Sequence, residues 1–219
     1  MFIRKAFIAF AAMLIMVAAV SAADTYKIDP VHSHIGFTVR HLVISNVRGN
    51  FTDFSGTIIY DPIELAKSSV DVTIKTASIN TDNPDRDKHL KSPDFFDVEK
   101  FPEITFKSDR IEKKGEKFVA AGKLTMRDVT KEVTISFEFL GTAKDPWGSF
   151  RMGIEGATSV NRQDYGISWN KALDNGGVLV GDEVKIDLGV EAVKQQYGRQ
   201  ICIMGNVNCA GIHAAAGQQ

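Results

Sequence analysis

The chain has 219 residues, 44% of them hydrophobic and 24% charged, with 26 basic against 27 acidic side chains. That balance excludes a disordered or collagen-like chain and gives no bulk attraction for nucleic acid or for an anionic membrane. The two cysteines, Cys202 and Cys209, both stand near the C-terminus, which excludes a cysteine-rich zinc module and a CxxC redox site.

Residues 1–22 read as a secretory signal peptide. Arg4 and Lys5 precede an apolar run over 6–19, and Val20 and Ala22 put small residues where a signal peptidase reads. A helix needs about 20 apolar residues to span a bilayer, so the run is too short for an anchor. Cleavage after Ala22 and a free, unanchored chain are expected. Export to an oxidising compartment then lets Cys202 and Cys209 close a short intramolecular disulfide. The alternative is bridging to a second chain, which gives a covalent homodimer.

From Tyr26 onward apolar residues recur with period two, the mark of strands with one buried face. Eight such runs follow in order. They carry Ile35, Phe37 and Val39; Phe54, Ile58 and Tyr60; Val70, Val72 and Ile74; and Ile104 with Phe106. The later four carry Phe118, Ala120, Leu124 and Met126; Val133, Ile135, Phe137 and Phe139; Phe150, Met152 and Ile154; and Val184, Ile186, Leu188 and Val190. Turn chemistry separates several of them, at Gly115-Glu116, at Asp128, at Asp145-Pro146-Trp147-Gly148 and at Asn175-Gly176-Gly177. One segment, 82–101, breaks the alternation. There Asn83-Pro84 and Ser92-Pro93 each pair a cap residue with a proline, and two short helical turns are expected, forming a flap. A second loop is expected over 166–181, around Trp169.

Eight half-apolar strands must hide one face, and closing the sheet on itself does so while removing unpaired edges. The expected fold is therefore all-β, an eight-stranded antiparallel up-and-down barrel with a short helical insertion. A two-sheet sandwich satisfies the same alternation. In the barrel reading the interior stripe consists of Phe37, Val39, Phe54, Ile58, Val72, Ile74, Phe106, Leu124, Phe137, Phe139, Ile154, Ile186 and Leu188. An interior of this size is either filled by its own side chains or holds one small ligand. Gly56, Ala120 and Gly122 fall on the inward face and leave room, unless the glycines mark bulges filled from a neighbour.

Polar clusters are few. His32 and His34 share a strand face, but His41 falls on the opposite one and no cysteine or carboxylate stands in step, so turn-capping is expected and no metal. Arg86, Asp87 and His89 form the most polar group, and a histidine beside an aspartate invites a general-base reading. No GxSxG elbow accompanies them, and a salt-bridged turn closing a barrel mouth is the preferred reading.

The chain also resembles a known family over about residues 24–194. The matching segments are Tyr26-Lys27-Ile28-Asp29 with Val31-His32-Ser33; Arg86-Asp87-Lys88-His89-Leu90-Lys91-Ser92 with Asp94-Phe95-Phe96; and Phe101-Pro102. Gly122-Lys123-Leu124-Thr125, Asn161-Arg162, Tyr165-Gly166, Trp169-Asn170 and Gly181-Asp182-Glu183-Val184 continue the match. Together they resemble the YceI-like family of secreted, lipocalin-like bacterial proteins. That resemblance implies a periplasmic barrel holding a long apolar amphiphile, an isoprenoid quinone or polyprenyl lipid. The tail is then expected along the interior stripe, with Arg86 and His89 as candidates for contacting its polar head. No cofactor is expected, and the charge balance leaves no nucleic-acid partner expected. The competing expectation, from a different class, is a hydrolase or isomerase acting on such a lipid through Asp87 and His89. The expected organisation is a signal peptide over 1–22, a lipid-binding barrel over 23–194 and a tail over 195–219 that family members lack.

Overall fold

A computed structural model of the chain describes residues 23–172 and 177–196. The expected signal peptide and both cysteines, with nearly all of the tail, lie outside the described residues. Eleven strand segments follow one another: β1 (Asp24–Ile28), β2 (His34–His41), β3 (Ser45–Phe51), β4 (Phe54–Tyr60), β5 (Ser69–Lys75) and β6 (Ile79–Asn80), then β7 (Glu103–Lys114), β8 (Lys117–Met126), β9 (Val129–Lys144), β10 (Phe150–Asn161) and β11 (Val180–Lys194). A single α-helix, α1 (Pro84–Lys91), separates β6 from β7.

These segments make eight staves of a closed antiparallel barrel, so the barrel and not the sandwich is the fold. The first three staves are broken strands. A 3₁₀ turn at Pro30–His32 divides β1 from β2, residues 52 and 53 divide β3 from β4, and a 3₁₀ turn at Thr76–Ser78 divides β5 from β6. The last strand closes the ring by pairing with both halves of the first stave: Ala192 opposite Ile28 on β1, and Ile186 opposite Phe37 on β2. Each of the eight alternating runs of the sequence falls in a different stave, which is why counting them gives the strand number of the barrel.

Local chemistry sets the breaks. Asp29 accepts the Val31 amide at 3.0 Å and turns the chain into the first 3₁₀ turn, where Pro30 fits because that position needs no amide donor. The α1 helix starts where Asn83 Oδ1 accepts the Arg86 amide at 3.0 Å, again with proline in the first turn. Beyond Ser92 the chain makes hydrogen-bonded turns, not the second helical segment expected there, with the Phe95 amide donating to the Ser92 carbonyl at 3.0 Å.

The two inward glycines serve close approach and leave no void. A Cβ on Gly122 would stand 2.3 Å from the Lys107 carbonyl oxygen, where β7 shifts register between Ser108 and Arg110. One on Gly56 would meet the Asp71 carbonyl oxygen at 2.7 Å and the Ile28 side chain at 2.8 Å.

Candidate functional site

The barrel holds an elongated interior cavity. Its volume is about 150 Å³, a bore with little room for a compact, rounded molecule. Every lining side chain except that of Thr158 is apolar, and the Thr158 hydroxyl is already committed, donating to the Thr134 carbonyl at 2.8 Å. A lumen without unsatisfied polar groups is dry and favours hydrocarbon, because a polar ligand atom there would lose its water and gain no partner.

Ten of the thirteen residues of the interior stripe line this cavity: Phe37, Ile58, Val72, Ile74, Phe106, Leu124, Phe137, Ile154, Ile186 and Leu188. Phe54 is buried in the surrounding core, and Val39 stands outside the lining, half-buried on β2. Phe139 lines a second, smaller cavity of about 30 Å³ toward the end where β4 finishes. The two cavities share Ile58, Val70, Phe137 and Ile154 as a partition. Ile28, Ile35, Phe51, Ile104, Met126 and Val190 complete much of the wall; alternation marks them as strand residues but does not say which of them face empty space.

The two ends of the barrel are closed differently. At the lower end Tyr26, Met152 and Ala192 are buried to 4%, 2% and 0% exposure, and Tyr60 packs on Phe139 with ring centroids 5.4 Å apart. At the upper end α1 and the turns after it form a lid. Arg86 donates from Nε to Thr81 Oγ1 at 2.8 Å and from a terminal nitrogen to the Thr81 carbonyl at 2.7 Å. Asp87 accepts the Thr81 amide at 2.9 Å, and the Thr81 hydroxyl at 2.5 Å. His89 pairs with Asp94 at 2.9 Å and meets Phe95 and Trp169 edge-on, with ring centroids at 5.0 and 4.9 Å. Asp87 and His89 therefore have separate partners, Thr81 and Asp94, and are not hydrogen-bonded to each other.

Sequence reading missed the side chain that organises the rest of the upper end. Arg162 is 4% exposed and donates to the carbonyls of Gly181 (2.9 Å), Ile167 (2.7 Å), Trp169 (2.8 Å) and Val180 (3.3 Å), and to the Asp182 carboxylate at 2.8 Å. It ties the loop carrying Trp169 to the start of β11. Its signal in the sequence is faint: an arginine directly after a strand, behind the capping residue Asn161, which accepts the Gln163 amide at 2.9 Å.

Of the histidines weighed as ligands, His32 Nδ1 lies 2.9 Å from Asp29 and His34 Nε2 3.3 Å from Asp187. Asp29, His32 and Glu191 do converge. The Arg151 guanidinium stands among these carboxylates, 2.9 Å from Asp29, 3.0 Å from Asp145 and 2.5 Å from Glu191, and supplies the cation itself. Hydrogen bonding from His32, then from Arg151, outweighs desolvation and holds the Asp29 carboxyl at about 2. The same carboxylates, Asp145 first, push the Arg151 pKa upward.

A closed antiparallel barrel with a dry, hydrocarbon-lined bore and a polar-tethered lid defines a lipocalin-like class of protein. Comparison places the chain more narrowly: the family model of the YceI-like domain matches residues 26–192, and the chain belongs to that family. A UPF0312 protein of Photorhabdus laumondii is 43% identical over 157 residues, 71% of this chain and 82% of the relative. The crystal structure of the Campylobacter jejuni YCEI protein superposes with a TM-score of 0.61 at 35% identity, covering 72% of this chain and 90% of that one. A polyisoprenoid binding domain from Saccharophagus degradans shares the fold with a TM-score of 0.57 at 14% identity, over 78% and 98% of the two chains.

Proposed function

We propose that the protein is a periplasmic, non-enzymatic carrier of one long-chain amphiphile, an isoprenoid quinone or polyprenyl lipid, held with its tail along the bore. The carrying observation is the narrow lumen whose only polar side chain has its hydroxyl bonded to the wall. Membership of the YceI-like family supports the reading, as does the fold shared with a protein named as polyisoprenoid-binding. Burial of each methylene contributes about 0.8 kcal/mol, so 15 carbons supply on the order of 12 kcal/mol before the cost of ordering the chain. Polar contacts then need only orient the head, which this reading places at the lid end near Arg86 and His89. The periplasmic location follows from the signal peptide expected over 1–22.

Solvent extraction and mass spectrometry of protein recovered from cells that export it test the reading. Wild type is expected to release a stoichiometric apolar lipid. Leu124→Trp, which narrows the bore where Leu124 faces it, is expected to fold and to shorten the longest chain retained. A folded Leu124→Trp protein carrying the same lipids as wild type, or a wild type that emerges empty, would overturn the reading.

A further inference from the structure

The β2–β3 hairpin is built against the usual turn chemistry. Its tip residues Leu42 and Val43 have φ of 53° and 66°, left-handed values that Asn and Gly adopt readily and a β-branched residue does not. The β8–β9 hairpin uses the same conformation with Arg127 and Asp128, at φ of 50° and 58°, and puts polar groups there. In β2–β3 the strained positions carry apolar side chains instead, Leu42 half-buried and Val43 68% exposed, and the next residue, Ile44, is 81% exposed. Along this segment the charge is one-sided although the chain as a whole is balanced. No acidic residue occurs between Asp29 and Asp53, and among the described residues Arg40 and Arg48 have no ion-pair partner. Below the tip, Val39 pairs with Val47 and Val184, and Phe37 with Ile186, so apolar inward positions run from the hairpin down to the cavity wall.

We infer that this hairpin is a docking wedge for an anionic lipid bilayer, with its apolar tip entering the acyl boundary and Arg40 and Arg48 meeting the headgroups. The inference rests on the lipid-carrier reading, which it supplies with a route. On this reading the lipid tail enters at the lid end, where the wedge stands, and not past Tyr26, Met152 and Ala192, which are buried at the lower end. An apolar tip flanked by unpaired cations is the pattern of interfacial binding, whose strength combines buried apolar area with attraction to anionic lipid. The most exposed aromatic of the lower end, Trp147 at 85%, suits that role less well. Its turn is built on the Asp145 carboxylate, which accepts the Trp147 amide at 3.0 Å beside the packed floor.

Flotation tests the inference, using the chain recovered from cells expressing the full-length sequence, on vesicles of phosphatidylethanolamine with phosphatidylglycerol and on vesicles of phosphatidylcholine alone. Wild type is expected to float with the anionic vesicles and to lose at least fivefold of its partitioning on neutral vesicles or at high salt. Replacing the tip with the residues its backbone favours, Leu42→Asn with Val43→Gly, is expected to raise the thermal midpoint while weakening flotation at least fivefold. Arg40→Gln with Arg48→Gln is expected to reduce only the salt-sensitive part. Equal flotation of tip variant and wild type, loss of flotation in Trp147→Ser instead, or a tip variant that changes only a dimer-to-monomer ratio would each overturn the wedge. A wild type that binds lipid from detergent solution yet ignores vesicles overturns the wedge and leaves the carrier reading standing. A wild type empty under both conditions overturns the carrier reading itself.

Discussion

The floor and the lid of the barrel are closed by opposite means. The floor is side-chain packing, with Met152 and Ala192 almost or wholly removed from solvent. The lid is a set of directional bonds to backbone and carboxylate, with Thr81 gripped by Arg86 and Asp87, and the Trp169 loop gripped by Arg162. Packing is spread over many atoms and is lost only when the barrel itself opens. A few oriented bonds are lost together when their segment swings away, so the lid can release as a unit while the staves stay paired.

That contrast breaks first at Arg162. Arg162→Ala leaves the carbonyls of Gly181, Ile167 and Trp169 and the half-exposed Asp182 carboxylate without this donor, and is expected to cost about 3–5 kcal/mol for several acceptors losing one buried partner. In a Trp147→Phe background, Trp169 emission should shift red and proteolysis between β10 and β11 should rise while far-ultraviolet strand signal persists. A variant with unchanged emission and an unchanged urea midpoint would put the lid's stability elsewhere. Met152→Ala comes next, at about 2–4 kcal/mol for a buried side chain removed from a site that relaxes only partly. Its signature should be the reverse: a lower urea midpoint for the whole transition at constant slope, with Trp169 emission unmoved before unfolding. A prior local phase would show that the floor is not part of the cooperative barrel.

How much of this is readable in the sequence depends on what period two can encode. It tells which face a residue occupies, so Phe37, Leu124 and Ile186 could be placed on the lumen side before any coordinates. It does not tell whether the space opposite is empty. Phe54 and Ile58 share one face of β4, yet only Ile58 borders the cavity. The half-strand β3 escaped notice because its inward face reads Val47, Gly49, Phe51, and a side chain on Gly49 would lie 2.5 Å from the Phe37 ring that fills its place. Arg162 escaped because burial of a charge is decided by carbonyls from two other segments, the Trp169 loop and the start of β11, which no local pattern records.

The smallest expected effect belongs to the acidic rim beside the floor. Asp29 has a folded pKa of about 2 against an ordinary value of 3.8, so its contribution is present above about pH 4 and is lost as pH falls through 2. With His32 more than half exposed, solvent screening limits the contribution to about 1 kcal/mol. Urea midpoints measured from pH 5 to pH 2 should fall less for Asp29→Asn than for wild type. Parallel curves would remove Asp29 from the account.

The double pairing of the last strand sets the order in which the protein can be made. Ser33 and Glu191 meet across 158 residues, and Ile28 finds Ala192 only after every other stave has been synthesised. Until β11 emerges, the first stave and β10 each keep one edge unpaired. Closure of so long a loop is slow compared with forming the hairpins between, so the chain stays unfinished and pliable throughout its synthesis. A polypeptide of this topology reaches its final shape only after its last strand is free of the ribosome.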